Sequence, residues 1–527
     1  MQEYQRYIHW ADSIAQRIIT EKGRKDVYTI AAGITPSGTV HIGNFREIIT
    51  VDFVNRALKD LKKKVRFIYS WDDYDVFRKI PKNMPKQDIL HGYLRQPIVD
   101  TPDTFGCHSS YAEHNEKEIE NVLGNVGINP VFLYQSKKYR NCEYKDEIKY
   151  VLNSRDRIKT ILNRFRKEPL PDDWYPLSVY CEKCNTDRTR VLDYDSNYCI
   201  RYSCECGFTG VVDFSKKGIV KLPWRVDWPM RWHYEKVDFE PGGKEHSTVG
   251  GSYSTAKLII KELYNEKPPV YQKYEFIILK GVGGKMSSSS GNVITLKDAL
   301  EIYEPAIVRY LFASTRPDAE FSISFDLDVL KIYEDFDKCE RIYYGKEKVG
   351  KKEYLKQKRI YELSCVDKPP KRIPLQPSFR HLTSLVQIFN NNFDEVKKHY
   401  VSQISGREDI LRLKSRAMCA WNWVKKYAPE TMRFSLQSKV NIGLKSKEKN
   451  ALSLLLDYLE ENKKLDTNLL YEEFYNISRK VDIDPKDFFK LVYRVLIDKD
   501  RGPRLASFIV AIGRERVIGL LRQAVGS

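Results

Sequence analysis

The stretch VYTIAAGITPSGTVHIGNFREIITVDFVNRALKDLKKKVRFIYSWDDYD, residues 27–75, constrains the fold more than any other part of the chain. Val27 to Ala32 is a short apolar run with β preference, and a turn of glycine, proline and serine follows it. Phe45, Ile48, Ile49, Val54, Leu58 and Leu61 then recur at helical spacing, and VRFIYS has the pattern of a second buried strand. Strand, glycine-rich turn, helix, strand is a βαβ unit. It predicts an α/β fold with a Rossmann-like parallel sheet and ligands at the carboxyl ends of the strands.

The rest of the 527 residues divides by texture. From about 101 to 215 the chain is rich in Cys, His, Tyr and charge, with weak periodicity, and reads as an insertion carrying its own staples. YEFIILK followed by GVGGKMSSSSGN and VITLKDALEIY returns to strand, glycine loop and helix. From Arg341 onward amphipathic helical patterns dominate, as in ALSLLLDYLEENKKL and GPRLASFIVAIGRERVIGLLRQA.

Charge follows the same division. The net +18 splits into 51 basic and 49 acidic residues over 1–340, and 38 and 22 over 341–527. Residues 341–380 alone hold 12 basic and 4 acidic side chains. Such a block is either a solvated helix face or the footprint of a polyanion, since each neutralised phosphate releases a counterion. The N-terminus lacks an apolar signal core, and no run of about 18 apolar residues occurs, so a cytoplasmic protein with no membrane partner is expected.

Two segments suit phosphate chemistry. Thr35-Pro36-Ser37-Gly38-Thr39-Val40-His41-Ile42-Gly43-Asn44 lies between a predicted strand and a predicted helix, where free N–H groups meet anions. His41 there can donate to a phosphoryl transition state without forming a covalent bond. In Gly281–Gly291, Lys285 offers a point charge to a leaving pyrophosphate, and Met286, Ser287, Ser288 and Ser289 continue the loop. Each segment alone has a bland alternative, a strand-to-helix turn or a Gly/Ser linker.

The cysteines add metal. Cys181-x-x-Cys184 and Cys204-x-Cys206 have the form of a four-thiolate zinc ribbon, with Cys199 as a spare that could replace one of the second pair. Asp103, Cys107, His108 and His114 make a looser mixed set that zinc also accepts.

Taken together, the His41 and Lys285 motifs resemble the paired HIGH and KMSKS signatures of class I aminoacyl-tRNA synthetases, over nearly the whole chain. Within that class AAGITPSGTVHIGNFRE, SWDDYDVFRKIP, LPWRVDWPMRW, PGGKEHSTVGGSY and KMSSSSGN are most similar to the lysyl family. Asn44 stands in place of the second histidine and Ser288 in place of the second lysine, as in that family.

The resemblance implies activation of L-lysine with Mg-ATP, then transfer to the 2′-OH of tRNA(Lys), and it implies no DNA partner. It makes His41, Asn44 and Lys285 catalytic. It places ATP on Thr35, Ser37, His41, Gly43, Asn44, Gly243, Lys285, Met286, Ser287, Ser288 and Ser289. A lysine ammonium needs a carboxylate and aromatic walls, which Trp224 and Asp227 offer. Gly33 and Thr35 stand at the opposite lip, and family similarity adds His246 and Tyr274. The resemblance also implies a metal at the Asp103 cluster, beside the Cys181 zinc. It further implies a catalytic domain over 1–315, a linker with stem contacts over 316–400, and an all-α anticodon-binding bundle over 401–527. Ala417–Tyr427 mixes tryptophans with lysines and could stack on bases, or bury Trp421 and Val424 as core. The alternatives are a glutamyl or arginyl synthetase, a free nucleotidylyltransferase, and a catalytically silent tRNA-binding relative.

Overall fold

After a first helix, α1 (Trp10–Lys22), the chain forms β1 (Tyr28–Ile34), α2 (Ile42–Asp60) and β2 (Val65–Trp71) in a computed structural model that describes residues 8–280 and 293–526. The two strands pair in parallel, with Tyr28 opposite Val65 and Ile34 opposite Trp71. The predicted βαβ unit is therefore present. Leu61 is the exception among its apolar positions: it lies just past the end of α2 and is 43% exposed.

The central sheet has five parallel strands in the order Val270–Tyr274, Val237–Gly243, β1, β2, β3, where β3 is Val131–Tyr134. The first strands grow to one side of β1 and the later ones to the other. That reversal opens a crevice at the carboxyl ends of β1 and Val237–Gly243. β3 falls inside the segment read as an insertion. It is a four-residue edge strand without a fully buried position, too short and too polar in surroundings for a strand signal. Residues 101–215 are therefore not one insertion, because they complete the sheet before they form the ribbon that carries Cys181, Cys184, Cys204 and Cys206.

α2 is buried on almost every side, from Ile42 to Leu58. Its Arg46 is 2% exposed and donates to the carbonyls of Glu275 (2.7 Å), Phe276 (3.1 Å), Arg316 (3.0 Å) and Ala319 (2.6 Å). The expected strand YEFIILK breaks at these acceptors into Val270–Tyr274 and Ile277–Lys280. A guanidinium has five donors in a fixed fork, so it can satisfy several bent-away carbonyls at once. Farther along, Asp52 on α2 accepts from the buried Arg309 at 2.7 Å, while Arg309 also donates to the carbonyls of Val126 and Leu363.

The chain divides into two units. One comprises residues up to Ala299 with Pro305–Ile323 and Lys348–Pro369, and the other Leu300–Glu304, Ser324–Glu347 and Pro370 onward. The segment 316–400 contributes to both. The basic block does too: the helix Lys351–Ser364 belongs to the sheet-bearing unit, where Arg359 pairs with Asp12 at 2.6 Å and Asp60 at 2.9 Å.

The second unit is helical through its larger part, with helices Phe379–Ile388, Arg407–Lys426, Ser446–Glu461, Thr467–Lys480 and Pro485–Ile497. GPRLASFIVAIGRERVIGLLRQA makes two helices, Leu505–Ile512 and Arg514–Gly526, because Gly513 turns the backbone at φ 94. Trp423 and Val424 are core, with the Trp423 indole donating to the carbonyl of Phe325, whereas Trp421 is half-exposed under the ammonium of Lys425. Among the described residues no helix is long and apolar enough to cross a membrane.

Candidate active site

His41 caps α2. Its Nδ1 accepts from the Asn44 amide (3.3 Å), and the Asn44 side-chain oxygen accepts from the His41 amide (3.2 Å), a reciprocal box. Because Nδ1 is an acceptor, a neutral His41 carries its proton on Nε2. Burial pushes its pKa down to about 4, so near neutral pH the ring is an uncharged Nε2–H donor. The first turn is also stitched to the far side of the glycine-serine loop, where Ile42 N donates to Ile294 O at 2.7 Å. Lys285, Met286, Ser287, Ser288 and Ser289, expected to meet ATP, lie outside the described residues. The described flanks on either side, Glu275–Phe276 and Ile294, are both bonded to α2.

At the end of β1, Gly33 packs so closely on β2 that a Cβ would sit 2.8 Å from the Ser70 carbonyl. Its N–H donates to Glu47 Oε1 at 2.9 Å, and Glu47 Oε2 accepts from the Tyr274 hydroxyl at 2.6 Å. Gly33 and Tyr274 are thus brought together through a residue that the sequence reading missed. Burial raises the Glu47 pKa to about 8, and among the described residues no cation pairs with it. The available signal was a carboxylate in the amino-terminal half of a helix packed mainly with apolar side chains.

Thr35 and Trp224 line a second part of the crevice, a cavity of about 420 Å³ that also includes Ser37, Asp75, Lys221 and Tyr180. The Thr35 hydroxyl donates to Asp75 at 3.0 Å. The Trp224 ring stacks on the buried Trp228 at 4.9 Å, and His246 stands 6.5 Å from Trp224 and 5.8 Å from Trp228. Burial lowers the His246 pKa. Gly243 ends its strand, and Gly242 before it leaves no room for a Cβ, which would lie 2.4 Å from the Tyr271 hydroxyl.

Asp227 does not face this cavity. It is 0% exposed, and its carboxylate accepts from Lys221 (2.8 Å) and the Tyr139 hydroxyl, with Arg231 Nε at 3.4 Å. Burial opposes its ionisation, but Lys221 and Arg231 outweigh burial and hold its pKa below the ordinary value. Asp72 takes the other side of Arg231 at 2.6 Å, and Lys221 reaches Asp75 at 3.5 Å. Signs therefore alternate along Asp72, Arg231, Asp227, Lys221 and Asp75. Asp227, expected to meet the substrate, is matched in this structure by Lys221 and Arg231.

The sulfur atoms of Cys181, Cys184, Cys204 and Cys206 lie within 4.8 Å of one another, with 3.5 Å between Cys184 and Cys204 and 3.8 Å between Cys181 and Cys206. Tetrahedral zinc at about 2.3 Å from each sulfur sets them about 3.8 Å apart, so the donor set fits. Gly207, at φ 83, turns the second knuckle. Cys199 begins the strand Cys199–Cys204, at the end far from the cluster, and is not a ligand candidate. The strand before the first knuckle, Ser178–Val179, pairs with Val220–Lys221, which carries the cavity's lysine.

Asp103, Cys107, His108 and His114 also gather within 4.8 Å, with Cys107 Sγ 3.1 Å from His108 Nδ1 and 3.2 Å from His114 Nδ1. They bracket the start of the helix Tyr111–Leu123, whose Tyr111 hydroxyl donates to the Ser37 carbonyl at 3.0 Å.

Residues 8–367 match the family described as tRNA synthetases class I (K). The chain is similar to a lysine–tRNA ligase of Borrelia garinii subsp. bavariensis, 53% identical over 511 residues and covering 96% of this chain and 98% of the relative. It is likewise similar to one of Treponema pallidum, 48% identical and covering 98% of each. A lysine–tRNA ligase of Pyrococcus horikoshii is 42% identical, covering 98% of this chain and 99% of the relative.

Asp227→Asn should separate structure from substrate contact. Removing one partner from a buried ionic chain costs about 3–5 kcal/mol. We expect a drop of that order in urea-unfolding stability. A variant of unchanged stability with a raised KM for the amino acid would instead return Asp227 to the substrate.

Proposed function

The chain belongs to the class I (K) family of tRNA synthetases, and from that premise we propose that it is a lysine–tRNA ligase. It joins L-lysine to ATP as lysyl-adenylate, with release of pyrophosphate, and then passes lysine to the terminal 2′-OH of tRNA(Lys). One observation carries the specificity. Glu47 is a half-buried carboxylate held by Gly33 and Tyr274, with no cation of its own among the described residues, and a lysine ammonium supplies that charge. An ionised Glu47 would repel a glutamate side chain, and a protonated one would offer it no counter-charge.

The lysine carboxylate attacks the α-phosphorus of ATP, the bond to the bridging oxygen breaks, and pyrophosphate leaves. The side chains have little covalent work in such a step, so positioning and charge stabilisation supply the rate. His41 donates from Nε2 and Asn44 holds the ring that does so. Gly43 and Ser37 bring backbone near the phosphates, and Gly243 brings it near the adenosine. Lys285 with Met286, Ser287, Ser288 and Ser289 meets the leaving group. Trp224, Thr35 and His246 close the amino-acid side. Magnesium travels with ATP and offsets phosphate charge. Both cysteine-bearing clusters suit zinc, which would brace Lys221 from one side and Ser37 from the other. The helical unit grips the tRNA, and the setting is the cytoplasm.

ATP–pyrophosphate exchange with each amino acid, with and without tRNA, tests the assignment. Lysine-dependent exchange is expected. Exchange with glutamate or arginine in its place overturns the specificity, and none with any amino acid favours a silent relative.

Two further outcomes follow from the site. With Glu47 at about 8, the empty pocket is largely protonated at pH 7 and becomes a better ammonium acceptor as pH rises. KM for lysine should therefore fall between pH 6.5 and 8.5 by up to about 25-fold, and Glu47→Gln should raise KM and flatten that profile. Elemental analysis should find two zinc ions per chain, with Cys184→Ser and Cys107→Ser each removing one.

A further inference from the structure

The turn that precedes α2 holds an unpaired donor. Gly38 is buried, and among the described residues its N–H meets no acceptor. Backbone N–H groups shut away from water are almost always paired, because an unpaired one has lost its hydration without replacement. Neighbouring groups of the turn are paired: Ser37 N donates to Thr35 O at 2.8 Å, the Thr35 hydroxyl to Asp75 at 3.0 Å, and the Asn83 amide to the Thr39 hydroxyl at 3.5 Å. Neither Gly38 nor the residue that orients it is among those expected to meet ATP, yet Gly38 stands between Ser37 and His41, which are.

The direction of that N–H is set from a distant part of the chain. Tyr111, 74 residues beyond Ser37, donates its hydroxyl to Ser37 O at 3.0 Å. Ser37 O and Gly38 N–H belong to one planar trans peptide, so they point in opposite directions. Holding the carbonyl toward the helix Tyr111–Leu123 therefore turns the N–H away from that helix. The hydroxyl that does this is itself fixed. Tyr111 is 1% exposed and packs its ring on Phe77 at 5.2 Å. Its amide donates to Thr101 O at 2.8 Å, and its carbonyl accepts from the Asn115 side chain at 2.9 Å.

A peptide whose oxygen is tied down and whose buried N–H is unpaired is a preorganised donor for an anion, and glycine brings no side chain to shield it. We propose that Gly38 N–H donates to a phosphate oxygen of ATP and that Tyr111 is the positioning residue that aims it. The inference rests on the reading of the chain as a lysine–tRNA ligase and adds two groups to its nucleotide site. Tyr111 touches no substrate, because its hydroxyl acts only through the Ser37–Gly38 peptide. A hydrogen bond to a charged oxygen is stronger than one to a neutral group, so misdirecting this one peptide is felt in ATP affinity. Adenosine, which has no phosphate, is indifferent to it.

The test measures binding of ATP and of adenosine to the full chain by titration calorimetry, beside ATP–pyrophosphate exchange in the presence of tRNA(Lys). Tyr111→Phe keeps the ring against Phe77 and removes only the hydroxyl. It should weaken ATP by about tenfold, and leave adenosine affinity and the KM for lysine within about twofold of the parent. Tyr333→Phe deletes another buried tyrosine–carbonyl bond, from Tyr333 to Ile302 O at 2.9 Å, and should bind ATP as the parent does. If the parent exchanges with lysine but Tyr111→Phe binds ATP unchanged, or loses ATP and adenosine equally, the roles of Gly38 and Tyr111 fall and the ligase reading stands. If the parent gives no exchange with any amino acid, the ligase reading falls and this inference with it.

Discussion

The Arg46 guanidinium, buried within α2 and shared among four backbone carbonyls, is the interaction on which the catalytic unit depends. A buried charge is tolerated only where its donors are met, and here the acceptors are the bent backbone of Glu275–Phe276 and the Arg316–Ala319 turn. The same helix carries His41 and Asn44 at its start and Glu47 one residue past Arg46. Fixing α2 therefore fixes His41, Asn44, Glu47 and the described flanks of the glycine-serine loop together.

Two carboxylates, Asp227 and Glu47, meet opposite surroundings. Asp227 is completely buried yet ionised, because Lys221 and Arg231 face it. Among the described residues Glu47 is held only by neutral donors, and burial resists its ionisation. Nearby charge separates the two: cations hold Asp227 ionised, whereas Glu47 meets burial without one among those residues. The alternating chain from Asp72 to Asp75 carries this order to Thr35 and onward to the zinc-suited ribbon through Val220–Lys221.

The basic surplus of residues 341–380 does not form one surface. Arg359 is consumed within the sheet-bearing unit by Asp12 and Asp60, and Arg372 within the helical unit by Asp409. Net charge counts paired and unpaired groups alike, whereas attraction for a polyanion depends on those left unmatched. In the helical unit three arginines without an ion pair among the described residues, Arg380, Arg501 and Arg504, line one cavity, and two of them lie far beyond the densest block.

The sequence by itself determined the βαβ start, the turn bearing His41 and Asn44, and both metal-suited clusters. In each case the signal is local: hydrophobic period, capping chemistry or ligand spacing within one short segment. It located Gly33, Thr35, Trp224, His246 and Tyr274 only as separate points. Tertiary structure alone decided that Asp227 is matched by Lys221 and Arg231, that Glu47 joins Gly33 to Tyr274, and that VFLY is a strand of the central sheet. It also decided that Cys199 stands away from the other thiols. Those facts depend on which groups meet across tens or hundreds of residues, and neither a charge's partner nor a short edge strand's neighbour is written in the residues beside it.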